Sequence, residues 1–164
     1  MRKNLPITDK NQDYDPNQRI VSTTDTKGRI TYANQDFVDI SGFATDELIN
    51  KSHNIVRHPD MPPAAYQDLW DTIKEGKPWM GIVKNRCKNG DHYWVDAFVT
   101  PIFENDNIIG YQSVRIKPEQ RHIDSAEKTY SALWETKQGF LQKFRSMKPR
   151  LFGKMFLSSC LATI

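Results

Sequence analysis

The order of extended and helical patterns constrains the fold of this chain most. Two β-branched segments, 19–25 and 29–34, flank the tight turn Thr26-Lys27-Gly28, which predicts a β-hairpin. Short helical patterns follow, and then three more extended segments, separated by the turns 89–90 and 104–107. This order predicts an α+β fold, a five-stranded antiparallel sheet with short helices on one face.

Short helices are predicted between the two groups of strands. Asn34 is placed to cap the first helix, which Gly42 ends, and a second begins at Thr45. A third helix is indicated by apolar residues at 65, 66, 69, 70 and 73, and Gly76 terminates it.

Charge and composition narrow the functional classes. At 164 residues the chain is predicted to form one domain, and its net charge of +3 comes from the tail, because residues 137–164 hold six basic and no acidic side chains. A mildly acidic folded part does not favour nucleic-acid binding. Cys87 and Cys160 form no disulfide or zinc pattern, and residues 1–18 lack the apolar core of a secretory signal, which predicts a cytoplasmic domain.

Four segments are predicted along the chain: a flexible N-terminal cap at 1–18, a folded domain at 19–117, a helical linker at 118–149, and the start of a membrane anchor at 150–164. The linker has an apolar seam with a period of three and four, which favours packing on a partner helix. A helix folded back on the sheet is the alternative. The last segment is shorter than the ~20 residues of a membrane span, so an interfacial or partner-binding tail is the alternative there.

The stretch 53–63, H-N-I-V-R-H-P-D-M-P-P, concentrates polar chemistry in a rigid backbone. Arg57 and His58 offer donors for an anion, and Asp60 offers an acceptor. The three prolines hold φ fixed, so these side chains are presented at little ordering cost. Composition alone supports a binding loop and a simple Pro-rich connection equally.

Specific motifs decide between those two interpretations. The runs V-R-H-P-D-M-P (56–62) and P-W-M-G-I-V-K-N-R-C-K-N-G-D-H-Y-W-V (78–95), together with S-T-T-D (22–25), H-N-I-V (53–56) and G-Y-Q-S-V-R (110–115), closely resemble the N-terminal PAS domain of bacterial aerotaxis receptors. The likeness covers residues 18–118. It implies a PAS fold followed by a long C-terminal linker helix, a noncovalently bound FAD, and a sensor of redox or oxygen status.

The resemblance also implies a set of cofactor-binding residues. They are Arg57, His58, Asp60, Trp79, Asn85, Asn34, His53 and Trp70. Arg57 and His58 would meet the diphosphate, and Asp60 a ribityl, ribose or adenine donor. The two tryptophans would supply flat faces, and Asn85, expected on a central strand, would meet the isoalloxazine near N5, with Asn34 and His53 as further polar contacts.

Structural alternatives exist for several of these residues. A tryptophan in a sheet is more often part of the core than a ligand wall. Asn34 can serve only as a helix cap, Asn85 can satisfy a backbone group, and Arg57 can pair with Asp60 across a turn. No G-x-G-x-x-G or P-loop motif is present, so a dinucleotide would occupy a pocket of another kind.

The predicted function is therefore energy-taxis sensing and not catalysis. The expected partners are a second copy in a homodimer, a chemotaxis kinase complex contacted through a signalling region absent from this chain, and the inner membrane through the C-terminal segment. The alternatives are a cofactor-free PAS module for dimerisation or docking, a heme-binding PAS sensor, and a metal site built from His53, His58 and Asp60, which would lack a fourth ligand nearby.

Overall fold

The computed structural model describes residues 4–135. Its elements are β1 (Ile20–Asp25), β2 (Ile30–Ala33), α1 (Gln35–Ser41), α2 (Thr45–Leu48), a 3-10 helix (His53–Val56), α3 (Pro63–Lys74), β3 (Trp79–Arg86), β4 (His92–Glu104), β5 (Asn107–Ile116) and α4 (Gln120–Glu135). The predicted order of two strands, short helices and three strands is confirmed, and so is the α+β class.

The five strands form one antiparallel sheet in the order β2-β1-β5-β4-β3. β1 pairs with β5, so the first and last strands of the domain lie side by side in the middle of the sheet. The expectation that Asn85 lies on a central strand is wrong, because β3 is an edge strand. The free edge of β3 pairs at one position with the loop before α3, where Arg57 forms an isolated bridge with Asn85.

Local capping explains where the short helices begin and end. The Asn34 side chain accepts a hydrogen bond from the amide of Phe37, which fixes the first turn of α1. Gly42 follows that helix with φ at 70°, a left-handed conformation that favours glycine. α3 starts with Pro63 at its first position, where the missing amide hydrogen costs nothing, and it ends two residues before Gly76.

The core lies between the inner face of the sheet and the helices α1 to α3. Side chains alternate along each strand, so the odd-numbered residues of β3 and β4 point to this inner face. Tyr93 and Val95 of β4 are fully buried there, together with Phe37 and Leu48 from the helical layer.

α4 packs on the opposite, outer face of the sheet. Ala126, Tyr130 and Leu133 of its apolar seam are buried, and the Tyr130 hydroxyl donates a hydrogen bond to the carbonyl of Ile82 on β3. The interpretation of a seam for a partner helix is wrong for these residues, because the outer sheet face carries apolar surface of its own, including Trp94. The rest of the predicted linker, from residue 136, lies outside the described residues.

The N-terminal segment lies along the β3–β4 hairpin. The amides of Thr8 and Gln12 donate to the carbonyls of Gly90 and His92 at 2.8 and 2.6 Å, and the Tyr14 hydroxyl donates to a carbonyl of β4. This segment, predicted as a flexible cap, is therefore paired with the domain from residue 4 onward.

No helix within residues 4–135 is long and apolar enough to cross a membrane. The predicted anchor at 150–164 lies outside the described residues. The proposed division of the chain into four segments stays a prediction.

Candidate functional site

A cavity of about 420 Å³ opens between the inner face of the sheet and α3. Its volume falls within the ~300–1,000 Å³ usual for small-molecule sites. Strands β1, β3, β4 and β5 form its floor, and α3 and the 3-10 helix form its roof. Five of the eight predicted site residues line it: His53, Arg57, Trp70, Trp79 and Asn85.

Two indole rings form flat apolar walls in this cavity. Trp79 is held by a hydrogen bond of 2.8 Å from its Nε1 to the Asp68 carboxylate of α3. Its ring lies so close to Gly81 that a Cβ there would come within 2.5 Å of the indole. Trp70 is packed against Gly28 in the same way, at 2.9 Å. The two glycines therefore leave room for the tryptophans, and the indole positions depend on them.

Aromatic contacts continue beyond the two indoles. Tyr111 of β5 stands edge-on to Trp70, with the ring centroids 5.6 Å apart. The arrangement gives one side of the cavity several aromatic surfaces suited to a planar ring system.

A buried arginine supplies positive charge in the cavity wall. Arg115 of β5 donates through Nη2 to His53 Nε2 at 2.6 Å and to Ser22 Oγ at 2.8 Å. Burial lowers the pKa of Arg115 to about 10. Burial, followed by the charge of Arg115, lowers the pKa of His53 to about 3, so the histidine is neutral and its Nε2 accepts.

Polar atoms in the cavity wall remain without protein partners. Arg115 Nη1 and Ser113 Oγ are buried and have no hydrogen-bond partner within the part of the chain that the structure describes. Buried donors without acceptors cost free energy. A flat ring system fits the aromatic walls, and Arg115 and Ser113 are polar residues that line the same cavity.

Arg57 is buried in the wall, and no carboxylate within residues 4–135 forms an ion pair with it. Its guanidinium lies 4.0 Å from the centre of the Tyr66 ring, and Nη2 donates to the Met61 carbonyl at 3.2 Å. Burial lowers its pKa. The alternative of an Arg57–Asp60 pair is not formed, because the Asp60 carboxylate binds Lys84 Nζ at 2.8 Å.

His58 and Asp60 do not line the cavity. The buried His58 ring accepts the Asp60 amide through Nδ1 at 3.2 Å, which closes the turn after Arg57. Its pKa is lowered to about 4 by burial and by the charge of Lys84. The Asp60 carbonyl accepts from Trp134 Nε1 of α4 at 2.6 Å. Both residues thus shape the loop that presents Arg57 and connect it to α4.

Asn34 is also placed outside the cavity. Its Oδ1 accepts the amides of Val21 and Phe37 at 2.9 and 3.1 Å, and its Nδ2 donates to the Arg19 carbonyl at 2.6 Å. The side chain is fully used in tying α1 to β1, which is the capping alternative raised by the sequence.

Residues of β5 were missed at the sequence level. Tyr111, Ser113 and Arg115 alternate along one strand and all face the cavity. A serine and an arginine on the inner side of a strand that also carries Tyr111 were the available signal, since polar residues on a core-facing side of a strand need partners.

The metal alternative finds no support in residues 4–135. No group of three or more His, Cys, Asp and Glu side chains is arranged there to hold an ion. His53 lies against Arg115, whereas His58 and Asp60 lie together outside the cavity.

Comparison with known proteins identifies relatives. The aerotaxis receptor of Escherichia coli (strain K12) is 47% identical over 127 residues, which are 77% of this chain and 25% of the receptor. The nitrogen fixation regulatory protein of Klebsiella pneumoniae is 33% identical over 82 residues, or 50% of this chain and 17% of that protein. The chain thus spans a quarter or less of the length of these relatives. The resemblance to aerotaxis receptors is confirmed.

Solved structures share the fold. A light-oxygen-voltage domain from a study with a flavin analogue superimposes with a TM-score of 0.62 at 20% identity, covering 70% of this chain and 88% of that one. The dark-state domain of the photoreceptor Aureochrome1 gives 0.61 at 20% identity, covering 69% and 85%. The model of the PAS fold family matches residues 30–115. With its sheet order and its cavity between sheet and helices, this chain belongs to the PAS family.

Proposed function

We propose that the chain is the sensor domain of an aerotaxis receptor and that it binds FAD noncovalently in the cavity. The observation that carries the proposal is the cavity itself, which combines aromatic walls with a buried, partly unpartnered Arg115. The 47% identity to a protein named for aerotaxis supports the choice among PAS functions. A light-oxygen-voltage domain studied with a flavin analogue shares the fold and agrees with a flavin.

The proposed flavin contacts include five of the predicted residues, which line the cavity. Trp70 and Trp79 offer ring faces, and Asn85 offers a carboxamide that can donate or accept at the polar edge of the isoalloxazine. Arg57 and His53 complete the polar wall, with Arg115 and Ser113 added from the structure. Asn34, His58 and Asp60 act on the proposed site indirectly. Asn34 holds α1 in place, and His58 and Asp60 hold the loop before α3.

Bound FAD would supply a redox-active ring whose polar edge changes its hydrogen-bonding character on reduction. Asn85 can respond by rotating its carboxamide, because the group carries both a donor and an acceptor. Asn85 shares β3 with Ile82, whose carbonyl binds Tyr130 of α4. We infer that β3 connects the cavity to α4, in addition to β5, which ends at Ile116 and leads into α4. Two packings of this helix would then represent two signalling states.

We propose that the output is carried by a signalling region absent from this chain. We propose a cytoplasmic sensor domain in a homodimer, with the linker leading to an inner-membrane anchor and on to a chemotaxis kinase complex. We propose that the protein acts as a sensor and not as an enzyme. The E. coli relative, four times longer than the matched segment, leaves room for such regions.

Absorption spectroscopy of the purified protein tests the cofactor. We expect flavin bands in the blue and near ultraviolet, FAD and not FMN after heat release, bleaching by dithionite and recovery in air. A colourless protein that takes up no added FAD would leave a cofactor-free dimerisation or docking module. A sharp Soret band would indicate heme.

The Asn85→Ser variant tests the signalling role. We expect it to fold and to retain FAD, with a changed output bias, because serine shortens the side chain and leaves one hydroxyl in place of the amide. An unchanged redox response, measured as the hydrogen exchange of α4 in the oxidised and reduced states, would remove Asn85 from the coupling route.

A further inference from the structure

A groove of about 460 Å³, here called the α4 groove, lies on the other side of the sheet from the cavity. Three parts of the chain build its walls: α4, the outer faces of β3 and β4, and the loop before α3. Its lining residues are Asp60, Met61, Lys84, Trp94, Glu127, Tyr130, Ser131 and Trp134. None of them lines the cavity, so a ligand in the α4 groove does not depend on what the cavity holds.

Three aromatic side chains line the α4 groove. Trp94 and Tyr130 are buried, whereas Trp134 is 48% exposed. Two hydrogen bonds hold the aromatic rings of α4: the Tyr130 hydroxyl donates to the Ile82 carbonyl, and Trp134 Nε1 donates to the Asp60 carbonyl at 2.6 Å. Aromatic rings that are already held in place can bind a cation over their faces at little ordering cost.

An ammonium group of the protein itself already lies in this setting. Lys84 Nζ lies 5.8 Å from the centre of the Trp94 ring and 2.8 Å from the Asp60 carboxylate. The Lys84 side chain is thus held between an indole and a carboxylate. The walls of the α4 groove therefore suit a cation.

Carboxylates outnumber cations in the α4 groove. Asp60 balances the charge of Lys84, and Glu127 of α4 adds a second carboxylate, which forms no ion pair within residues 4–135. Glu127 and Trp134 are seven residues, or about two turns, apart on α4 and lie on the same side of it. An exposed indole beside an unpaired carboxylate favours a positively charged ligand with apolar surface. The same carboxylate would repel an anion.

We propose that the α4 groove binds a small organic ammonium ion, with its cationic group between Glu127 and Trp134. The apolar surface of the ligand lies against the rings of Trp94 and Tyr130. Such a ligand contacts the loop before α3, the sheet and α4 together, so its binding stabilises the packing of α4 on the sheet. The inference goes beyond the proposed function and does not depend on a flavin.

The test uses tetramethylammonium as the probe and tert-butanol, which has nearly the same shape and no charge, as the matched neutral ligand. Each is titrated at constant ionic strength into the isotope-labelled 164-residue chain. The indole N–H signals of the four tryptophans are followed by NMR. Trp94 and Trp134, the groove pair, line the α4 groove, and Trp70 and Trp79, the cavity pair, line the cavity.

A matched pair of substitutions tests the carboxylate. Glu127→Gln removes the charge and keeps the shape of the side chain. Glu119→Gln is the control, because Glu119 is exposed, is bonded to Arg121 and lines neither the groove nor the cavity. Both substitutions are at exposed positions, so we expect both variants to fold.

We expect tetramethylammonium to shift the signals of the groove pair in a saturable manner and to leave those of the cavity pair unchanged. tert-Butanol should shift neither pair. Glu127→Gln should weaken the affinity for tetramethylammonium by about threefold or more, because a charge beside the ligand is lost, and Glu119→Gln should match wild type.

Several outcomes would overturn the inference. They are the absence of a saturable shift, equal responses to the charged and the neutral ligand, shifts that include the cavity pair, and an unchanged affinity in Glu127→Gln. None of these outcomes bears on flavin binding, which absorption spectroscopy tests separately.

Discussion

At the scale of single residues, Arg115 is a buried charge that a bound ligand can stabilise. It is 3% exposed, bonded to Ser22 and His53, and left with Nη1 unpartnered among the residues described. Burying a guanidinium without a carboxylate is costly. A ligand that brings a hydrogen-bond acceptor to this guanidinium therefore stabilises the folded domain.

Replacing Arg115 by Leu should therefore separate folding from binding. We expect the free energy of unfolding of the flavin-free protein to change by less than about 1 kcal/mol, because an unpaired buried charge is removed. FAD affinity should fall at least about tenfold, because an acceptor on the ligand loses its donor. Urea denaturation and flavin titration measure the two quantities. A large loss of stability with unchanged FAD affinity would make Arg115 a structural residue.

At the scale of elements, the Asn34 side chain connects α1 to the first strand. Asn34 caps the helix and ties it to β1 through three hydrogen bonds. We expect Asn34→Ala to lower the free energy of unfolding by about 1–2 kcal/mol, since an N-cap and its partners are lost. Equilibrium urea unfolding of the flavin-free protein measures the change.

Gln35→Ala is the matched control for this cap. Gln35 is the neighbouring exposed residue, and within residues 4–135 its side chain bonds to the Asp39 side chain of its own helix. Its substitution should leave stability within about 0.5 kcal/mol. An Asn34→Ala protein with normal stability and lost flavin would return Asn34 to the cofactor site.

For the whole molecule, two neutral histidines with lowered pKa values contribute to the response to acid. The pKa of His53 is lowered to about 3 and that of His58 to about 4, from an ordinary value of 6.5. As pH falls below 6.5, the two histidines become protonated in the unfolded chain but stay neutral in the folded chain. The free energy of unfolding therefore decreases from pH 6.5 down to about pH 4. Above pH 6.5 both histidines are neutral in both states and contribute no pH dependence.

Urea midpoints at pH 8, 6.5 and 5 check this behaviour. We expect little change between pH 8 and 6.5 and a clear decrease between 6.5 and 5, a range above the titration of ordinary carboxylates. His53→Gln should reduce the decrease, and His122→Gln, on α4, serves as the control. A midpoint that is constant from pH 8 to 5 would contradict the burial of neutral histidines.

The local sequence determined much of this domain. β-branched runs, the turns around Gly28 and Asn89-Gly90, and the cap at Asn34 predicted the strands and helices where they are found. These features act over a few residues, so that the chain itself specifies them. The motif at 56–62, with Arg57, and the motif at 78–95, with Trp79 and Asn85, also pointed to residues that meet in one cavity.

Only the tertiary structure decided which distant segments meet. Pairing of β1 with β5 moved Asn85 to an edge strand and brought Arg115 beside Ser22, 93 residues apart in sequence. The apolar seam predicted from residue 118 onward was compatible with packing on a partner helix or on the sheet of its own chain. In the structure, the part of the seam that belongs to α4 packs on the outer face of the sheet, where Tyr130 bonds to β3. Hydrophobic periodicity says which side of an element is buried and not what buries it, because the hydrophobic effect has no direction.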